Sequence, residues 1–128
     1  MVSETPKNIK PTNILLHQKS RILEITFEDG AQFHLPCEYL RVHSPSAEVQ
    51  GHGPGQEVLQ IGKENVNIKN IDPVGNYAIL PHFDDDHNTG IYSWQYLYSL
   101  GKNQESLWKS YLERLEAAGH QRKGPRGQ

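Results

Sequence analysis

Apolar and polar residues alternate along Ile22-Leu23-Glu24-Ile25-Thr26-Phe27, a period of two that predicts a strand with Leu23, Ile25 and Phe27 on one face. Ile14-Leu15-Leu16 reads as a strand before it. Glu28-Asp29-Gly30 reads as a turn, because Gly takes a positive φ at no steric cost, so Ala31-Gln32-Phe33-His34-Leu35 should return antiparallel. Pro36 stops that strand, and Cys37 to Val42 has room for one or two helical turns before Ser44-Pro45-Ser46. Gly51-His52-Gly53-Pro54-Gly55 excludes a regular element and reads as an exposed loop. Val66-Asn67-Ile68 with Ile71, a turn over Asp72-Pro73-Val74-Gly75-Asn76, and Tyr77-Ala78-Ile79-Leu80 predict a second antiparallel pair.

From Gly90 the period lengthens. Ile91, Trp94, Leu97 and Tyr98 fall at helical spacing, and Gly101 suits the position just after a helix end. Asn103 suits the cap of a second helix, whose Leu107, Trp108, Tyr111, Leu112 and Leu115 form one apolar face as far as Gly119. Trp94 and Trp108 are thereby expected to help close a single core. The pattern predicts an α+β domain: a small antiparallel sheet built from two β-hairpins and covered by two C-terminal helices. Residues 1–11, polar and carrying Pro6 and Pro11, are expected to form a flexible lead, and residues 12–118 the single domain. Residues 119–128, with Arg122, Lys123 and Arg126 among Gly and Pro, read as a disordered basic tail.

The length of 128 residues suits one hydrophobic core. Thirteen Lys and Arg against fifteen Asp and Glu give a net charge of −2, which supplies no electrostatic reason to expect nucleic acid or an anionic membrane as partner. No apolar run approaches the roughly 20 residues that span a bilayer. Cys37 has no second thiol with which to pair, so it is expected to be a small buried apolar residue. That cysteine usage, with a polar Met1 to Lys10 segment, points to the cytoplasm.

Candidate chemistry concentrates in His82-Phe83-Asp84-Asp85-Asp86-His87-Asn88-Thr89-Gly90-Ile91-Tyr92-Ser93-Trp94. His82-x-Asp84 matches half of a two-His-one-carboxylate iron site, but only helices and a basic tail follow to supply the distal His. Asp84-x-Asp86-x-Asn88 begins like a calcium loop, yet Thr89 stands where that loop needs Gly and Gln95 where it needs a bidentate Glu. Two readings of Asp84, Asp85 and Asp86 remain. They satisfy free amides and the positive end of the following helix, or they receive a cation or basic partner that relieves their repulsion. His43 and His52 flank a Gly-rich loop; with His87 brought close they would form a three-imidazole site for zinc or iron, and otherwise they are incidental. The expectation is that His43, His52 and the Asp84 to His87 turn converge on one polar surface, with Tyr92 as an exposed aromatic for a partner.

Leu35-Pro36-Cys37-Glu38-Tyr39-Leu40-Arg41-Val42-His43-Ser44-Pro45-Ser46-Ala47-Glu48-Val49, then Val74-Gly75-Asn76-Tyr77-Ala78, then Asp85 to Trp94, together resemble the gamma-butyrobetaine hydroxylase-like N-terminal domain family over about residues 12–118. In carnitine-pathway hydroxylases this module precedes a 2-oxoglutarate oxygenase domain and binds a structural zinc through three cysteines and a histidine. A related module is joined to some plastid iron–sulfur cluster carriers, and bacterial members often stand alone. The resemblance places the zinc histidine at His87 and the cysteines at Ser44, Ser46 and Val49, where hydroxyls and a valine are poor or impossible substitutes for thiolates. Asp86 stands where the family usually has Gly before the His. No oxygenase domain is present in the sequence.

The expectation from sequence is therefore a non-catalytic cytoplasmic interaction or adaptor module with no catalytic residues and no required cofactor. It would engage a protein partner through Asp84, Asp85, Asp86 and Tyr92. The alternative is a metal-binding accessory module connected to iron–sulfur or 2-oxoglutarate chemistry, holding zinc or iron weakly through His87, His43 and His52.

Overall fold

In the computed structural model, which describes residues 8–51, 53 and 55–122, the alternation at residues 22–27 is realised as a central strand. β1 (Pro11–His17), β2 (Ile22–Phe27) and β3 (Gln32–Pro36) form an antiparallel sheet in the order β1-β2-β3. Leu23, Ile25 and Phe27 of β2 are buried, each contributing about 1.5–3 kcal/mol of transfer free energy. The turn between β2 and β3 has Gly30 at a φ of 88° and Asp29 Oδ1 accepting from the Ala31 N–H at 3.0 Å. Pro36 then leads straight into α1 (Cys37–Val42), a helix in which every residue is buried. A four-residue helix, α2 (Ala47–Gln50), follows with Ser46 as its cap, accepting from the Glu48 N–H at 3.2 Å.

The second half does not extend the first sheet. β4 (Ile68–Val74), β5 (Ala78–Phe83) and the short β6 (Tyr92–Ser93) form a second antiparallel sheet in the order β4-β5-β6. Each expected hairpin has thus taken a third strand. β4 runs on through Asp72-Pro73-Val74, which the sequence reading assigned to the turn. Proline is tolerated there because β4 is an edge strand, where a missing N–H removes little pairing. The sheets are tied where the β1–β2 turn meets β4: Gln18 Nε2 donates to the Ile68 and Lys69 carbonyls, each at 3.1 Å, and Asn67 Nδ2 donates to the Gln18 carbonyl at 2.9 Å. One hydrophobic core draws on β2, β3, α1, all three strands of the second sheet and α3 (Trp94–Lys102).

α3 starts later than the helical spacing from Ile91 suggested, because Tyr92 and Ser93 pair with Ile79 and Ala78. Ser93 then caps the helix through the Tyr96 N–H at 3.1 Å. Gly101 is not the residue beyond the helix end; it lies inside α3, where a Cβ would come within 2.3 Å of the Phe33 ring. α4 (Gln104–Ala117) packs Tyr111 and Leu115 against Val42 and Leu59 in a second cluster. Trp108 is half-buried and touches both clusters, while half-buried Trp94 packs against the main one. Among the described residues no helix is long and apolar enough to cross a membrane.

Both domain boundaries also move outward. Ile9 is buried in the main core, so packing begins before residue 12. At the other end Arg122 is anchored against α1 and α4 rather than belonging to a disordered tail. The remainder of the expected lead and tail, residues 1–7 and 123–128, lies outside the described residues, as does His52.

Candidate functional site

Helix α1 carries two charged residues among apolar ones, Glu38 and Arg41, and burial obliges each to find a partner. Arg41 finds the acidic turn after β5: its Nε donates to Asp85 Oδ2 at 2.9 Å, and its Nη1 to Gln60 Oε1 at 3.1 Å. Lys63 Nζ joins the same Asp85 oxygen at 2.7 Å. Burial works against ionisation of Asp85, but Lys63 and Arg41 outweigh it and hold the carboxyl below its ordinary range. Asp84 does different work, exchanging hydrogen bonds with Asn67: its N–H donates to the Asn67 carbonyl at 2.8 Å and its Oδ1 accepts from the Asn67 N–H at 3.0 Å. Asp86 adopts a φ of 66°, the left-handed conformation for which the related pattern uses Gly, and its side chain is 95% exposed with Lys69 Nζ 4.0 Å away. Of the three aspartates expected to face a partner, two therefore have internal duties.

His87 follows directly and is 4% exposed. Its Nε2 lies 2.8 Å from Ser44 Oγ, and Ser44 Oγ accepts from the Ser46 N–H at 3.2 Å. The Ser44 hydroxyl can either donate to Nε2 or accept from it, the direction following the imidazole tautomer. Glu48 Oε2 is 3.3 Å from Nδ1 yet lies outside hydrogen-bond geometry, so the buried Nδ1 has no hydrogen-bond partner. Ser46 Oγ and Thr89 Oγ1 are 2.7 Å apart, and Thr89 Oγ1 donates to Glu48 Oε1 at 3.2 Å. Gly90 is required beside this cluster, since a Cβ there would come within 2.3 Å of Ser44 Oγ. Burial pushes the His87 imidazole below its ordinary pKa, with Arg41 adding to that effect.

The chain segments assigned to a zinc site by resemblance do meet, at Ser44, Ser46 and His87. Their donor set does not fit the ion: two hydroxyls already engaged in hydrogen bonds, one imidazole and the apolar Val49 replace one imidazole and three thiolates. Of the three imidazoles in the alternative site, only His43 and His87 lie among the described residues. His43 Nδ1 donates to the Tyr39 carbonyl at 2.9 Å, and its ring packs near Tyr39 and Tyr111, a different set of neighbours from those of His87. Burial lowers its pKa too. His52 falls outside the described residues. His82 pairs with Asp72 at 2.7 Å instead of joining Asp84. Among the described residues no group of three or more His, Cys, Asp or Glu is placed to hold a metal ion. Tyr92 is also corrected: as the buried member of β6 it is fully enclosed, its hydroxyl donating to the Leu40 carbonyl, and it presents nothing to a partner. Cys37 is buried as expected, and that burial raises its thiol pKa to about 11.

The opposite end of α1 opens onto a groove the sequence reading did not single out. Glu38 has a side chain only 7% exposed, and Arg122 reaches it in a two-point fork: Nε to Oε2 at 2.8 Å and Nη2 to Oε1 at 2.6 Å. The guanidinium carbon lies 5.5 Å from the centre of the Trp108 ring. Tyr39 fixes the floor, its hydroxyl donating to the Leu100 carbonyl at 2.6 Å and its ring meeting Trp108 edge-on at 6.3 Å. Beside this pair lies a cavity of about 560 Å³, with Lys102 and Glu105 along its lining. The signal available in sequence was Glu38 itself, an acidic residue within the apolar run from Leu35 to Val42.

A family model described as "Gamma-butyrobetaine hydroxylase-like, N-terminal" matches residues 14–98. No curated protein matches the chain. Among solved structures, one protein known from an NMR solution structure is 55% identical, with a TM-score of 0.78 over 94% of this chain and 91% of its own. A second NMR solution structure is 43% identical, with a TM-score of 0.77 over 93% of this chain and 95% of its own. A crystal structure of a protein of unknown function from Acidithiobacillus ferrooxidans, placed in the DUF971 family, is 38% identical, with a TM-score of 0.61 over 72% of this chain and 92% of its own.

Proposed function

Because the chain belongs to the gamma-butyrobetaine hydroxylase-like, N-terminal family, we propose that it is a non-catalytic interaction module that receives a protein partner in the groove between α1 and α4. The observation carrying this reading is the groove itself, where the buried carboxylate of Glu38 and the face of Trp108 border a cavity of about 560 Å³. A concave surface with an aromatic wall and a few placed charges is the form in which binding energy is concentrated. The polar cluster around His87 supports the same reading from the other side, since its hydroxyls and carboxylates are largely spent on one another. Metal binding is the less favoured reading, on the donor chemistry of Ser44, Ser46 and Val49. The module is assigned to the cytoplasm, in keeping with its single buried thiol.

The experiment is photo-crosslinking in the native cell, with the crosslinking amino acid at position 102 in the groove or at position 86 on the exposed acidic turn. The reading predicts a discrete adduct from position 102 that disappears in the Glu38→Gln background. Absence of an adduct at 102, or an adduct at 86 that survives Glu38→Gln, overturns it.

A further inference from the structure

Glu38 and Trp108 present a set of complementary features for one kind of group. Two carboxylate oxygens lie side by side at the end of a buried side chain, matched to a planar fork of N–H donors, and an indole face stands within cation–π distance of the same point. Arg122 already satisfies both, and the fork and the cation–π contact raise the same question of what else could do so. Lysine offers a point charge without the fork, so the geometry discriminates between the two basic side chains. Arg122 stands only five positions beyond Ala117, the last residue of α4, and it borders rather than fills the adjoining cavity.

We propose that the Glu38–Trp108 corner is a guanidinium-binding site, occupied in the free chain by the chain's own Arg122 and taken over by an arginine of the partner. This inference rests on the groove being the docking surface. Arg122 acts as a tethered competitor. A side chain held on so short a tether works at an effective concentration of order mM, so a partner must displace it with an arginine that is itself supported by contacts in the adjoining cavity. Removal of Arg122 leaves Glu38 buried beside an indole with its fork unmatched, and a free arginine should then enter.

The test follows the two indole N–H signals by NMR while N-acetyl-arginine amide is titrated into the full chain. Trp94 serves as the internal control, because its Nε1 donates to the Asn76 carbonyl at 2.8 Å, away from the groove. In Arg122→Ala the arginine amide should shift the Trp108 signal saturably and leave Trp94 in place. Its apparent affinity should exceed that for the parent chain by at least about twofold, the factor being one plus the ratio of Arg122's effective concentration to the amide's own Kd. N-acetyl-lysine amide should bind more weakly, and Glu38→Gln combined with Arg122→Ala should remove the arginine response. Should Arg122→Ala not fold, Arg122→Lys keeps the charge pair without the fork and carries the same titration. No saturable Trp108 shift in the folded variant, or equal binding of the two amides, overturns the inference. A groove adduct at position 102 without any arginine response retains the docking surface and rejects the guanidinium site. Loss of the adduct together with a positive arginine response does the reverse.

Discussion

Ser44 shows how much one hydroxyl can be asked to do. It accepts from the Ser46 N–H and meets His87 Nε2 while fully enclosed, so Ser44→Ala leaves a buried imidazole nitrogen unpaired. The expected loss is about 1–3 kcal/mol in chemical denaturation, against a few tenths for an exposed serine such as Ser110. Burial also holds His43 and His87 below the ordinary imidazole range. With both folded-state values depressed, the unfolded chain takes up protons first as pH falls through about 6.5. The stability tied to these residues is complete above that pH and is lost progressively toward the lower folded values. Urea midpoints should therefore decline between about pH 7.5 and pH 5.5, and decline less in His87→Gln; a flat or rising midpoint contradicts the assignment.

At the scale of elements, α3 provides a case where two rules oppose. Gly101 inside a helix costs roughly 1 kcal/mol relative to Ala, but a Cβ there would sit 2.3 Å from Phe33. Overpacking of about 1–3 kcal/mol should win, so Gly101→Ala is expected to lower the denaturation midpoint despite the better helix former. A raised midpoint would show that Phe33 yields without cost. The same residue marks how far the elements were legible. Periodicity located β2, β3 and α4, each a run of its own pattern flanked by Pro, Gly or Asn, while Pro36 and Ser44-Pro45-Ser46 bounded α1 by length alone. It misplaced the start of α3 and the role of Gly101, because Tyr92 and Ser93 are recruited by β5, and Phe33 approaches from a strand nearly seventy residues earlier. Contacts of that range leave no local trace. α2 was passed over for a related reason: four residues are too few to show a period, and only the Ser46 cap announces them.

The whole molecule is organised around α1, whose buried charges reach opposite ways: Arg41 to the acidic turn and Glu38 to the C-terminal Arg122. The sequence reading found the first region and assigned it the function, since aspartates and a histidine close together draw attention. Folding spends Asp84, Asp85 and Ser44 on internal hydrogen bonds and turns His43 toward Tyr39, while composition hid the second region by making Arg122 look like part of a basic tail. The resemblance located the Ser44, Ser46 and His87 meeting point correctly; the chemistry at that point is this chain's own. Hydrogen bonds close this cluster, and the proposed partner-binding role calls for no metal ion there. The most direct test is elemental analysis of protein purified without a polyhistidine tag and dialysed against a mild chelator. The account predicts zinc and iron far below one equivalent in both the parent chain and His87→Ala, whereas near-stoichiometric metal in the parent that is lost in His87→Ala would contradict it.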